Sequence, residues 1–184
     1  MNLQDIITEV ERDLDTAVPS EKIIGWANRA LDDLTPIAKL QSKKTLIHST
    51  DNNYILPEDL FEIAHLTVDG IPHDEVTMKD VNSRGYKVWG NILSLNPNNS
   101  DSLIELYYYK KLNHLNNFSD IPEIPSQFHD LIVLYVIGHE LFSDEEFESQ
   151  EDALRRYNQR KSEFEMYTMK KEDINYQIID VYRF

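Results

Sequence analysis

The chain has 184 residues, 41% of them hydrophobic, with 33 acidic against 18 basic side chains and a net charge of −15. That apolar fraction supports one folded domain, or one with an inserted subdomain, and excludes wholesale disorder; the charge argues against a surface that grips nucleic-acid phosphates by releasing counterions. There is no cysteine, which excludes disulfides, thiolate metal sites and a cysteine nucleophile and suits a reducing cytosol.

Leu3, Ile6, Ile7, Val10 and Leu14 recur at helical spacing and predict a first amphipathic helix, ending before Val18-Pro19 because the residue ahead of a proline is driven out of the helical region. Asp5, Glu9, Glu11 and Asp13 in the same stretch are unlike the basic start of a signal peptide, and no segment approaches the ~18 apolar residues that span a membrane, so a soluble protein is expected. Ser20 is placed to cap a second helix carrying Ile23, Ile24, Ala27, Ala30, Leu31 and Leu34, with Trp26 at the edge of its stripe. Thr35-Pro36 is expected to kink or end it.

From Lys43 to Lys110 the period becomes alternating. Thr45 to His48 and Tyr54 to Leu56 read as short strands around the turn Asp51-Asn52-Asn53, and Leu56 to Leu60 as a tight turn on Pro57. Ala64, Leu66 and Val68 alternate up to Asp69-Gly70, and Tyr86 to Trp89 and Ile92 to Leu95 flank Gly90-Asn91; both dipeptides suit two-residue hairpin loops. One helical turn is expected at Thr77 to Val81 and a chain reversal at Asn96 to Asp101. Leu103 to Tyr109 reads as a strand with apolar or aromatic side chains on both faces, one meeting the helices and the other needing a cover that a neighbouring subunit can supply.

Lys110 to Ser126 links back to a helical hairpin. Seven consecutive apolar residues, Leu131 to Ile137, continue past strand length through His139-Glu140-Leu141-Phe142, so this helix is covered on several sides and is the central element. Ser126 offers its N-cap. Ser143 and Glu146 stand at capping-box spacing, flanked by Phe142 and Phe147, and open a helix of about six turns carrying Leu154, Tyr157, Phe164 and Tyr167. After Lys171 the tail is β-prone and apolar; it either forms a last strand on its own domain or docks elsewhere. The expected fold is α+β and mainly helical. Residues 1–42 and 120–171 form a four-helix core, 43–119 an inserted antiparallel β subdomain, and 172–184 an extended C-terminal tail.

His139-Glu140 begins like a zinc-hydrolase helix, yet the second histidine required one turn on is Ser143. Asn96, Asn98 and Ser100 echo a calcium loop, but Asp101 stands in place of its glycine and Tyr107 in place of its bidentate glutamate. His48, His65, His73, His114 and His129 show no ligand spacing and read as surface or turn residues; the five glycines form no phosphate loop. The acidic run Asp144, Glu145, Glu146, Glu148, Glu151 and Asp152 reads as a solvated helix start. No catalytic site, metal or cofactor is expected, and function is expected to lie in surfaces.

Three stretches in this order carry a resemblance: Ile23-Ile24-Gly25-Trp26-Ala27-Asn28-Arg29-Ala30, then Asn53-Tyr54-Ile55-Leu56-Pro57-Glu58-Asp59-Leu60, then Asp120-Ile121-Pro122-Glu123-Ile124-Pro125 ahead of the long helical pair. The pattern resembles the head-tail connector (adaptor) proteins of tailed bacteriophages over Met1 to Lys171, while the size of the β insertion and the length of the tail depart from it. The resemblance implies a structural virion protein, not an enzyme, made in the bacterial host cytoplasm and built into the head-tail junction. Its subunits form a homo-oligomeric ring, normally of twelve, that binds the portal protein. The ring extends the DNA channel used in genome packaging and ejection and carries the tail or the next connector protein.

On that basis Tyr107, Tyr108, Tyr109, Arg155 and Arg156 are expected at the subunit interface, and Asp144, Glu145 and Glu148 along a channel that DNA passes without specific binding. Tyr176, Ile178, Ile179, Val181, Tyr182 and Phe184 are expected to dock on the portal. Two readings from other classes stand beside it: a small acidic binder that imitates DNA and inhibits a nucleic-acid enzyme, and a metal-dependent hydrolase using His139 and Glu140.

Overall fold

The computed structural model describes residues 1–15, 17–47, 51–77, 85–95, 102–143 and 147–180. The chain divides into a helical unit, Met1–Lys39 with Leu112–Phe184, and a β unit, Leu40–Lys111.

In the helical unit, α1 (Leu3–Leu14) buries Leu3, Ile6, Ile7 and Val10. It starts on a capping box that the sequence reading missed: the Asp5 N–H donates to Asn2 Oδ1 and the Asn2 N–H to Asp5 Oδ2, each at 2.9 Å. In α2 (Ser20–Ala38) the buried side is Ile23, Ala27, Ala30, Leu31 and Leu34. Ser20 is its first helical residue rather than its cap, because the Pro19 carbonyl already accepts the N–H groups of Lys22 and Ile23. The helix also runs past Pro36 to Ala38, against expectation. A proline this close to the end forfeits little, and Thr35 ties the last turn down: its hydroxyl donates to the Leu31 carbonyl at 2.9 Å and accepts the Leu112 N–H at 3.3 Å.

A 3₁₀ turn at Ser126–Phe128, where an α-helical start on Ser126 was expected, leads into α3 (Asp130–Ser143). Packing against α1, α2 and α4 explains why this helix tolerates an apolar run on all sides. Its partner α4 (Phe147–Asp180) has 34 residues and is roughly 51 Å long at ~1.5 Å per residue. The two approach closely at Gly138, where an added Cβ would lie 2.8 Å from Leu154 Cδ2.

Helix α4 corrects the expectation of an extended tail from residue 172. No glycine or proline follows Gly138, and each added residue of an established helix gains a hydrogen bond, which outweighs the β propensity of Ile174, Ile178 and Ile179.

The described residues of the β unit form two antiparallel sheets. Its strands are β1 (Gln41–Leu46), β2 (Asn53–Ile55), β3 (Leu60–Val68), β4 (Ile71–His73), β5 (Tyr86–Trp89), β6 (Ile92–Leu95) and β7 (Ile104–Lys110), ordered β1-β7-β3-β4 and β2-β6-β5. Asp69-Gly70 makes the expected hairpin with φ of 52° and 77°, the type I′ pattern, and Gly90 opens the other at φ 59°. The strands flanking Asp51 to Asn53 do not pair: β1 joins β7, and β2 joins β6. Ile104, Leu106 and Tyr108 of β7 enter one core with Leu46, Leu66, Tyr54, Leu93 and Leu95, drawn from both sheets. The expected turns at Thr77 to Val81 and Asn96 to Asp101, His48, and the Ser143/Glu146 box lie wholly or partly outside the described residues.

Candidate assembly surfaces

Helices α2, α3 and α4 meet in a stack of rings and charges. Trp26 is held between the Arg29 guanidinium and the His139 ring, each 4.4 Å away, with the two rings within 10° of parallel. His139 also touches Tyr135 at 4.4 Å, and Tyr135 meets the edge of Tyr157 at 5.3 Å. The Tyr157 hydroxyl and Lys161 Nζ, the latter at 2.6 Å, both donate to Asp33. Burial works to raise the Asp33 pKa, but these hydrogen bonds outweigh it and hold the carboxyl below its ordinary range. Burial, with Arg29 nearby, pushes His139 below the usual histidine value.

The neighbouring Glu140 is buried and accepts from Lys22 Nζ at 2.5 Å. His139 stacks on rings while Glu140 is taken up in an ion pair with Lys22. Among the described residues no group of three or more His, Cys, Asp or Glu is placed to hold a metal.

The residues that carried the resemblance fasten the irregular stretch 112–125 to the helices. The Asn28 side chain accepts the Leu115 N–H at 2.8 Å and donates to the Leu115 carbonyl at 3.1 Å. The Asp120 carboxylate accepts the N–H groups of Asn116 and Asn117 at 2.8 Å, which lowers its pKa, and its carbonyl takes the Leu3 N–H at 2.9 Å. His129, expected in a surface or turn role, closes the 3₁₀ turn but is buried beside this stretch: its Nε2–H donates to the Ile124 carbonyl at 2.9 Å, leaving Nδ1 to face the Met1 ammonium at 3.1 Å.

One surface was not anticipated. Ile55, Ile92 and Trp89 are register partners across β2, β6 and β5, and they are 73%, 45% and 73% exposed. Strand alternation sends their neighbours Tyr54 and Leu93 into the core and this row outward. Period-2 reading of these short strands could have found it.

The sequence matches the SU10 adaptor protein family over residues 1–176. The chain belongs to that family of phage structural adaptors. A search of curated proteins returned no match. Among the adaptor's described residues no helix is long and apolar enough to cross a membrane.

The adaptor places its expected interface residues unequally. Tyr108 faces its own core and donates to Asp59 at 3.0 Å, so it is not available to a neighbour. Tyr107 lies on the opposite face, where it donates to Glu105 at 3.1 Å; Lys43 pairs with Glu105 at 2.6 Å and sits 4.9 Å over the Tyr107 ring. Much of the cover expected from a subunit thus comes from the sheet's own side chains. Tyr109 is half-buried there. Arg155 and Arg156 are exposed and both pair with Asp152, Arg156 at 2.7 Å. Asp144, Glu145, Val181, Tyr182 and Phe184 lie outside the described residues, as do the side chains of Glu148, Tyr176, Ile178 and Ile179.

Proposed function

We propose that this adaptor assembles as a ring, of twelve copies, beneath the phage portal, extending the DNA channel and offering a platform to the tail or to a following connector. The observation that carries the reading is the family match, which runs unbroken through both units and along α4 to residue 176. The role is structural and non-enzymatic, in a virion component made in the host cytoplasm. Asp144, Glu145 and Glu148 face the channel, where carboxylates keep the genome from adhering. Tyr107, Tyr109, Arg155 and Arg156 contribute to contacts between copies.

The last described side chain that α4 buries is Thr168, twelve residues before the helix ends at Asp180. The segment beyond it, with Tyr176, Ile178, Ile179, Val181, Tyr182 and Phe184, docks on the portal. Since its first part is helical, it enters as a helix laid in a groove rather than as an added strand. Negative-stain microscopy of purified portal mixed with the full chain, and with a chain ending at Lys171, tests this. The full chain is expected to cap the portal with a ring and the shortened one to stay folded but unbound. Equal binding by both removes the docking role of the tail, and the absence of rings with either removes the ring.

A further inference from the structure

The outer face of the three-stranded sheet carries the Ile55, Ile92 and Trp89 row, then Asn53, Ser94 and Lys87. Lys87 is the single charge among these six residues, in a chain dominated by carboxylates. The row offers roughly 400 Å² of apolar contact, on a scale where one buried aromatic contributes ~150–250 Å². That is about half of the ~800 Å² each partner supplies to a stable pairwise complex. It is too little to hold a free pair of molecules. Repeated around a closed ring, where every copy is held on two sides, it is enough.

A seat for it exists in the same chain. Leu134, Ile137 and Leu141 line one side of α3 at helical spacing and, with Ala153 of α4, form a groove of about 590 Å³. Its rim bears Asp13, Asp152 and Arg156, whose charges are engaged in ion pairs with one another and with Arg12 and Arg155, so the seat is an apolar floor inside a paired polar rim, matched to a face with one charge in six residues. The row is a ridge and the groove is a recess, so the two are different patches, as a head-to-tail ring contact demands. A row packed on another row would instead pair two copies about a twofold axis and stop there.

We propose that the Ile55, Ile92 and Trp89 row of one adaptor copy seats in the Leu134, Ile137 and Leu141 groove of the next copy around the ring. The inference rests on the ring reading above. The chain has no cysteine, so thiols can be introduced without background. Trp89→Cys, Leu141→Cys and the double variant are assembled on portal, treated with a flexible bismaleimide and run on a denaturing gel. Ile137→Cys replaces Leu141→Cys if the latter lowers the thermal midpoint. The double variant is expected to give a ladder of covalent oligomers and each single variant none. Trp89→Ser, at a largely exposed position, is expected to weaken ring formation about tenfold with an unchanged thermal midpoint.

Rings without a ladder overturn this contact and leave the ring reading intact. Dimers of Trp89→Cys alone assign the row to a twofold contact, and its attachment to portal or to another virion protein assigns it to that partner; either result overturns the proposal. If no ring forms at all, the ring reading falls first.

Discussion

Two glycines of the helical unit give the same substitution different outcomes. Gly25 is exposed in the interior of α2, and a Cβ there would meet nothing within 4 Å. Gly25→Ala is therefore expected to raise stability by about 1 kcal/mol through helix propensity alone. At Gly138 the added Cβ would lie 2.8 Å from Leu154 Cδ2 and 3.2 Å from its Cγ, so the half-buried Leu154 side chain must turn aside, and that cost is expected to offset the same propensity gain and leave Gly138→Ala less stable than Gly25→Ala by about 1 kcal/mol. Urea titration of both variants against the parent checks the order; equal gains at the two sites would mean that Leu154 does not crowd Gly138.

His139 supplies a pH dependence at the same scale. Its folded-state pKa lies below the ordinary ~6.5, so as pH falls the unfolded chain takes up the proton first. Stability is expected to decline as pH drops through and below that value, toward the lower pKa of the folded state. The groups that face this ring include Trp26, Arg29 and Asp33 of α2 and Tyr135 and Glu140 of α3, with both attracting and repelling charges among them. His139→Phe keeps a ring against Trp26 and is expected to reduce the fall in urea midpoint between roughly pH 7.5 and pH 5.5. An unchanged fall would place the titration elsewhere.

At the scale of elements, α4 divides in two. From Ala153 to Thr168 it buries Tyr157 and Phe164 against α2, α3 and the 3₁₀ turn, with Phe128 meeting Phe164 at 4.9 Å and Tyr167 at 5.3 Å. Arg160 fastens the same junction, donating to Asp130 at 2.8 Å and Glu163 at 2.6 Å while lying 4.8 Å over the Phe128 ring. Ending the chain at Lys171 removes none of these contacts. The shortened protein is expected to lose helical circular dichroism in proportion to its missing residues and to keep its thermal midpoint. A clear fall in the midpoint would show that the last turns pack on the helical unit.

Across the whole molecule the charge is unevenly shared. Of the 33 acidic and 18 basic residues, 23 and 11 belong to the helical unit, leaving 10 and 7 in the β unit. Free copies at −15 each repel over a Debye length of about 30 Å at 0.01 M salt and about 10 Å at 0.1 M. The free adaptor is expected to scatter light as a monomer at low salt and to need less protein for ring formation on portal as salt is raised. Closed rings at low salt without portal would show that apolar contacts such as the Trp89 row outweigh the repulsion.

The amino-acid sequence by itself determined what depends on neighbours along the chain. The apolar stripe from Leu3 to Val10, the helix through Leu131 to Ile137, and the hairpins at Asp69-Gly70 and Gly90-Asn91 were legible because periodicity and turn chemistry act within a few residues. The order of three motifs also sufficed to suggest a phage adaptor, which the family match over residues 1–176 bears out. What joins distant residues was settled only in three dimensions. Tertiary structure decided that β1 pairs with β7, that Tyr108 turns inward while Tyr107 is covered by Lys43, that Trp26 stacks on His139, and that His129 is buried. The course of the last helix shows the limit in the other direction. Ile174, Ile178 and Ile179 favour a strand only when another strand offers its hydrogen bonds, and in their place the continuing turns of α4 satisfy the backbone.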